Sequence, residues 1–246
     1  MKRSLKEILD YKVETLDGKS GSTKDFLFDQ RLWVVRFIKV DFGNIFAAKK
    51  KLIPRVLFKT PQWQEQKFTV ALNKDEIGKC PDIDDHLPVS RKIEEQLFGY
   101  YGVDLYWTMP YPGHMRMYHP PRAVIPPAAS DPEEEVDTEL RSFNEVEHYH
   151  VNALDGKLGH IEDLIIDDQE WQILYVIVDT SNWLPWSKKV LISIDFLSQI
   201  RYTDREVSIN LKKDAIKSAP EFDPSVPIDE EYDQKVFDFY SRSIVK

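Results

Sequence analysis

The stretch Leu154-Asp155-Gly156-Lys157-Leu158-Gly159-His160-Ile161-Glu162-Asp163 repeats, 138 residues on, the pattern of Leu16-Asp17-Gly18-Lys19-Ser20-Gly21-Ser22-Thr23-Lys24-Asp25. Asp-Gly between short extended runs signals a tight hairpin turn, because glycine accepts positive φ. The same offset places Arg3-Ser4 on Arg141-Ser142, Asp29 on Asp167, Trp33 on Trp171 and Val40-Asp41 on Val178-Asp179. With Glu7/Glu145, Tyr11/Tyr149 and Val13/Val151, fifteen of the thirty-nine positions from Arg3 to Asp41 are identical. Unrelated segments of this composition share about two or three. The offset reaches Phe58 on Phe196; after one inserted residue, Leu72, Lys74, Asp75, Ile77 and Pro81 fall on Leu211, Lys213, Asp214, Ile216 and Pro220. The chain is therefore read as a tandem duplication, with residues 1–101 a first copy, 141–246 a second and 102–140 between them.

Each unit reads as mainly β with short helices, an α+β composition. Trp33 to Val40 and Trp171 to Val178 are β-branched and aromatic and apolar on both faces, as central strands are. Phe68-Val70-Leu72 and Val207-Ile209-Leu211 alternate. Five or so short strands per unit suit a small closed barrel, since closure removes exposed edges. Asn73 to Lys79 and Lys212 to Ser218 read as short helices stopped by Pro81 and Pro220. Longer helices follow: one from an N-cap at Ser90 to Gly102, its counterpart from about Ile228 to Tyr240. Between the copies, Tyr106 to Pro127 is aromatic and proline-rich and reads as extended chain on a surface, whereas Asp131 to Leu140 is acidic and solvated.

A formal charge of −9 and a single cysteine, Cys80, bound the chemistry. The charge argues against nonspecific binding to nucleic acid or anionic membrane. One cysteine excludes an intrachain disulfide and a thiolate cluster. No run is long and apolar enough to span a bilayer, and the expected setting is cytoplasmic.

At the repeated residues, above all Leu154 to Asp168 and Asn182-Trp183-Leu184-Pro185 before Lys189-Val190-Leu191-Ile192-Ser193, the chain resembles the PRC-barrel family. That module is shared by the cytoplasmic part of the photosynthetic reaction centre H subunit and the C-terminal domain of the bacterial ribosome maturation factor, and the second copy resembles bacterial stand-alone members. The first copy keeps the Asp-Gly hairpin, Gly21 and Asp25 but has Gly43-Asn44-Ile45-Phe46 in place of the Trp-containing loop. The resemblance implies two tandem small PRC-type β-barrels that serve as adaptor surfaces, with no catalytic residues to carry over and no cofactor. Residues 1–25 are too polar for the membrane helix of H subunits.

Candidate chemistry is sparse. Asp25, Asp41, Asp163 and Asp179 recur beside turns and strand ends, where Asp caps backbone groups, and Gly21 and Gly159 read as bulges in a curving strand. His148 and His150 flank Tyr149 and would share a face if extended; with His160 they are the candidates for a metal, although their counterparts in the first copy are Asp10, Lys12 and Ser22. Lys49-Lys50-Lys51 with Arg55 is the one basic cluster and reads as a solvated strand end. Ile45, Phe46, Trp183, Leu184 and Trp186 recur in one apolar loop of each copy and are the candidate interaction residues. The expectation is a non-enzymatic adaptor for a protein partner or for its own copies. The rivals are a ligand or metal binder using a cleft between barrels and a nucleic-acid or ribosome-associated factor.

Overall fold

A computed structural model describes residues 1–43, 50–81, 89–108, 140–180 and 188–244. The long strand β3 (Ser20–Asp29) organises the first sheet. Along one edge it pairs antiparallel with β4 (Val34–Asp41), which pairs with β5 (Lys50–Pro54). Along the other edge its beginning pairs with β2 (Lys12–Glu14), which runs parallel to β6 (Lys67–Thr69). The end of that edge carries β7 (Leu140–Ser142), a strand from the second repeat.

The second sheet is built the same way around β9 (Gly156–Asp167). It pairs with β10 (Ile173–Asp179) and through it with β11 (Lys189–Ser193); its other edge meets β8 (His150–Ala153), which runs parallel to β13 (Glu206–Ile209), and β12 (Leu197–Arg201) lies beyond. The end of that edge carries β1 (Lys2–Ser4), from the first repeat. The chain accordingly divides into two compact units that are not continuous stretches. One joins Met1–Glu7 to Glu145–Lys246, and the other runs from Ile8 and takes in the stretch ending at Asn144.

Turn chemistry recurs at the repeat offset. Gly18 and Gly156 have φ of +77° and +124°, the left-handed side that the Asp-Gly hairpins require. Non-glycine residues with positive φ also fall in register: Asp10 with His148, Trp33 with Trp171 and Gln66 with Arg205. At the β3–β4 and β9–β10 turns the Trp N–H donates to the carbonyl of Asp29 or Asp167 four residues back. The carboxylate of the same Asp accepts the intervening N–H groups of Arg31 and Leu32, or of Gln169 and Glu170. Both indoles are then driven into the core, and Trp33 stacks on Phe28 at 5.3 Å between centroids.

Closed barrels are not what the ladders form. Neither ladder of strands returns to its starting strand among the described residues, so the protein is mainly β with two open sheets and five short helices. The physical reason lies at a corner. Pro54 has no N–H to continue the ladder, and β5 passes through a 3-10 turn at Arg55–Leu57 to Phe58, which bridges Val70. In the second sheet β11 passes through a 3-10 turn at Ile194–Phe196 directly into β12. The ends of each sheet are thus joined by covalent chain rather than by strand pairing.

The helices are α1 (Lys74–Gly78), α2 (Arg91–Tyr101), α3 (Phe143–Val146), α4 (Lys213–Ser218) and α5 (Glu230–Ile244). The Asn73 side chain and Glu76 form a reciprocal capping box at α1. Ser90 caps α2, and Gly102, at φ +65°, ends it. Leu97 and Phe98 press α2 onto Phe37 and Leu52, with the Phe37 and Phe98 rings 4.9 Å apart. Tyr240 of α5 is buried and donates to the Leu191 carbonyl of β11.

Gly159 adjoins a bulge, as expected, since the β8–β9 register slips at Leu158; Gly21 does not, since its pairing with β2 is regular. The β3–β4 and β9–β10 registers slip at Lys24 and Glu162 and again at Arg36 and Leu174. The glycines are needed because another strand's backbone comes too close: a Cβ at Gly21 would lie 2.6 Å from the Asp41 carbonyl oxygen, and one at Gly159 2.0 Å from that of Asp179. Gly159→Ala should therefore cost about 1–3 kcal/mol in urea unfolding through overpacking. Gly99→Ala, which meets nothing within 4 Å on the helix α2, should instead leave stability unchanged or raise it by up to about 1 kcal/mol. Equal effects at the two positions would refute the close approach.

Candidate interaction site

Two buried carboxylates anchor the visiting strands. Asp163 on β9 accepts the Ser4 hydroxyl through Oδ2, and its Oδ1 accepts the backbone N–H groups of Lys6 (3.1 Å) and Leu164 (2.7 Å). Asp25 on β3 accepts the Ser142 hydroxyl at 2.6 Å, the Asn144 N–H at 3.2 Å and the Phe26 N–H at 2.8 Å. The repeated Arg-Ser dipeptide is thus seated in the same way on both sheets. Burial pushes the Asp163 carboxyl up to about 6 against the pull of Ser4 and the backbone donors, and it raises Asp25 as well. Asp41 serves a turn, accepting the Gly43 N–H at 2.7 Å.

A second buried polar cluster centres on α2. Glu94 of α2 is fully buried; its Oε2 accepts the Tyr106 hydroxyl at 3.1 Å, and its Oε1 lies 3.3 Å from the Arg91 guanidinium. Arg36 of β4 stacks on the Tyr106 ring at 3.8 Å, and Arg91 covers the Trp107 ring at 4.1 Å. Burial raises Glu94 to about 7 and outweighs Arg91 and Tyr106, which pull it down; burial also lowers the Arg36 guanidinium. Tyr106, expected on a surface, is buried, because its ring fills the space between Phe98 and Arg36. Sequence offered little warning of this cluster. Arg91 and Glu94, three apart on a helix, look like a solvated ion pair.

The candidate interaction residues Ile45, Phe46, Trp183, Leu184 and Trp186 lie outside the described residues. The histidines are described. His148 has φ +76° rather than extended backbone, so the shared face expected with His150 does not form. The His148 and His160 rings are 6.0 Å apart, and His150 is the cross-strand neighbour of His160. Among the described residues no group of three or more His, Cys, Asp or Glu side chains could hold a metal ion. Of the basic cluster, Lys49 lies outside the described residues and Lys50 is exposed as expected, but Lys51 is buried and donates to the Cys80 carbonyl at 3.0 Å. Lys188 likewise donates to the carbonyls of Lys217 and Ala219 at the end of α4, a favourable place for a cation. A surface groove is lined by Leu154, Leu211, Ala215, Phe239 and polar residues of α4 and α5. No described helix is long and apolar enough to cross a membrane.

The raised carboxyls set a pH dependence. Ordinary values are 3.8 for Asp163 and 4.5 for Glu94, so the folded state holds these protons more tightly than the unfolded chain. Their stabilising contribution is therefore full below about pH 4 and is lost as pH rises through about 6 for Asp163 and about 7 for Glu94. In urea melts from acid to neutral pH, the two groups together should lower stability by on the order of 1–3 kcal/mol. Asp163→Asn with Glu94→Gln should flatten that fall, and a slope unchanged by the substitutions would show that both carboxyls ionise normally.

No curated protein matches the chain. The strand arrangement around β9, with its Asp-Gly hairpin, buried Asp163 and left-handed Trp171, occupies residues 144–216, and those residues match the PRC-barrel domain family.

Proposed function

We propose that this chain is a non-enzymatic assembly protein of the cytoplasm, built from two PRC-type barrels in tandem, which presents surfaces to a protein partner or to its own copies. The family match over 144–216 supports the reading for the second repeat, since the PRC-barrel domain is a protein-interaction or assembly module. For the first repeat the support is internal: the hairpin glycines, the three pairs of left-handed residues and the Asp-Ser contact all recur at the repeat offset. The open ladders are compatible with barrels whose last corner is turned by chain rather than by pairing.

The observation that carries the proposal is the use made of Asp25 and Asp163. A buried carboxylate with a raised pKa is the usual raw material of acid–base chemistry. Here each has its oxygens engaged by a hydroxyl and a backbone N–H of the added segment and by the N–H of the residue that follows the Asp. Strand addition to a sheet edge is a mode of protein recognition.

The apolar loops supply the surface offered outward in this reading, with Trp183 and Trp186 as anchors. Trp183→Ser with Trp186→Ser should lower the apparent mass of the native assembly in sedimentation, or abolish cross-linking to its partner, while the melting temperature is retained. A fall in stability with mass and cross-linking unchanged would make the loops lids of their own core and overturn this assignment.

A further inference from the structure

The chain that follows α2 turns back along it. Gly102 ends the helix, and the Val103 N–H donates to the Phe98 carbonyl at 2.9 Å. Tyr106 and Trp107 then lie against Phe98 and against Arg91 in the first turn of the helix. Tyr106 belongs to the apolar cluster that receives Leu140, and Val103, Leu105 and Trp107 pack against that cluster. Residues 103–107 thus form a strap, and charged groups hold it. The Tyr106 hydroxyl accepts from Arg91 at 3.1 Å and donates to Glu94 Oε2 at 3.1 Å, while the guanidiniums of Arg36 and Arg91 cover the Tyr106 and Trp107 rings. The groups that face the Glu94 carboxyl are Arg91 on its own helix, Tyr106 on the strap, Arg36 on β4 and Asp29 at the end of β3. Glu94 is fully buried, and its Oε1 accepts no hydrogen bond although the Arg91 guanidinium lies 3.3 Å away. An ionised carboxylate so placed is a desolvated charge with one oxygen unsatisfied, whereas the protonated acid has no charge to desolvate. Tyr106 is in direct contact with the carboxyl, so lifting the strap admits water to it.

We propose that residues 103–107 are a proton-controlled strap, latched on α2 while Glu94 is protonated and lifted when Glu94 ionises, which uncovers the cluster that holds Leu140. Burial keeps the Glu94 carboxyl up at about 7, so release falls near neutrality. With the strap down, Glu94 holds its proton more tightly than in the lifted state, where water restores the ordinary value of 4.5. Latching is therefore firmest in acid and weakens as pH rises through about 7. The device stands whether or not the chain assembles with a partner.

Amide hydrogen exchange of the full-length chain, corrected for the intrinsic pH dependence of exchange, reads the opening. Between about pH 5 and about pH 8 the protection of the amides of 103–107 should fall by about tenfold or more. At each pH it should also stay well below that of the β4 amides, as a local opening requires. In Glu94→Gln, which keeps the shape of the side chain without its charge, the strap should hold one level of protection across that range. Strap protection that does not change with pH would overturn the proposal, as would a fall that Glu94→Gln retains. Equal protection of the strap and of β4 would overturn it too, because the strap would then open only when the whole unit unfolds. If circular dichroism shows that Glu94→Gln does not fold, Tyr106→Phe takes its place. Loss of the hydroxyl that draws Glu94 down should move the midpoint of the fall to higher pH, and an unmoved midpoint would overturn the proposal.

Discussion

Each sheet depends on one buried contact, between an aspartate in its long central strand and a serine contributed by the other repeat. Asp163 and Asp25 are desolvated acceptors, and a desolvated carboxylate is tolerated only when its lone pairs are taken up. The arriving strand supplies a hydroxyl and a backbone N–H at once, and a third donor comes from the residue that follows the Asp itself. Remove the visitor, and the sheet loses both a strand and the partners of a buried acid. The long strand can accept it because its two ends have different neighbours on the same edge: a hairpin strand at the beginning and the visitor at the end. The bulges at Lys24 and Glu162 fall between those two regions.

Much of this was legible in the sequence, for identifiable reasons. Asp-Gly hairpins, the helix cap at Ser90 and the terminating Gly102 are local chemistry, and the structure places them where the residues indicate. The identity of Arg3-Ser4 with Arg141-Ser142 was visible too, but its meaning was not. An offset says which positions are equivalent; it does not say which copy supplies a residue's neighbours. Gly21 and Gly159 were recognisable as special, yet the bulge that Gly159 adjoins and the close backbone approach that both share leave the same single letter, and only the position of Asp41 and Asp179 shows the second. The left-handed Trp33 and Trp171 run against ordinary preference for so bulky a residue, and it is the Asp four residues earlier that holds them there.

The candidate site was less legible because its chemistry is buried. Glu94 belongs to a helix whose Arg91 neighbour suggests a surface pair, and its fate is decided by Tyr106 and Arg36, distant in sequence. Lys51 stands in a run of lysines that composition marks as solvated, whereas its ammonium closes the end of a helix segment at Cys80. In both cases a charged side chain satisfies backbone or aromatic groups that no periodicity announces.

The seating of β1 and β7 each on the other repeat's sheet also bears on how the protein is made. Translation delivers β1 well before its seat, which lies 159 residues further along, from Ser4 to Asp163. The first sheet must wait for Leu140–Ser142, which is 117 residues beyond Asp25 at the Ser142 contact. Neither unit can therefore be completed while the first repeat alone has left the ribosome. Folding of the two halves is coupled in time, unlike the usual domain-by-domain maturation of tandem proteins. Until the second repeat emerges, the nascent first sheet carries an unfilled edge and a buried acid without its serine.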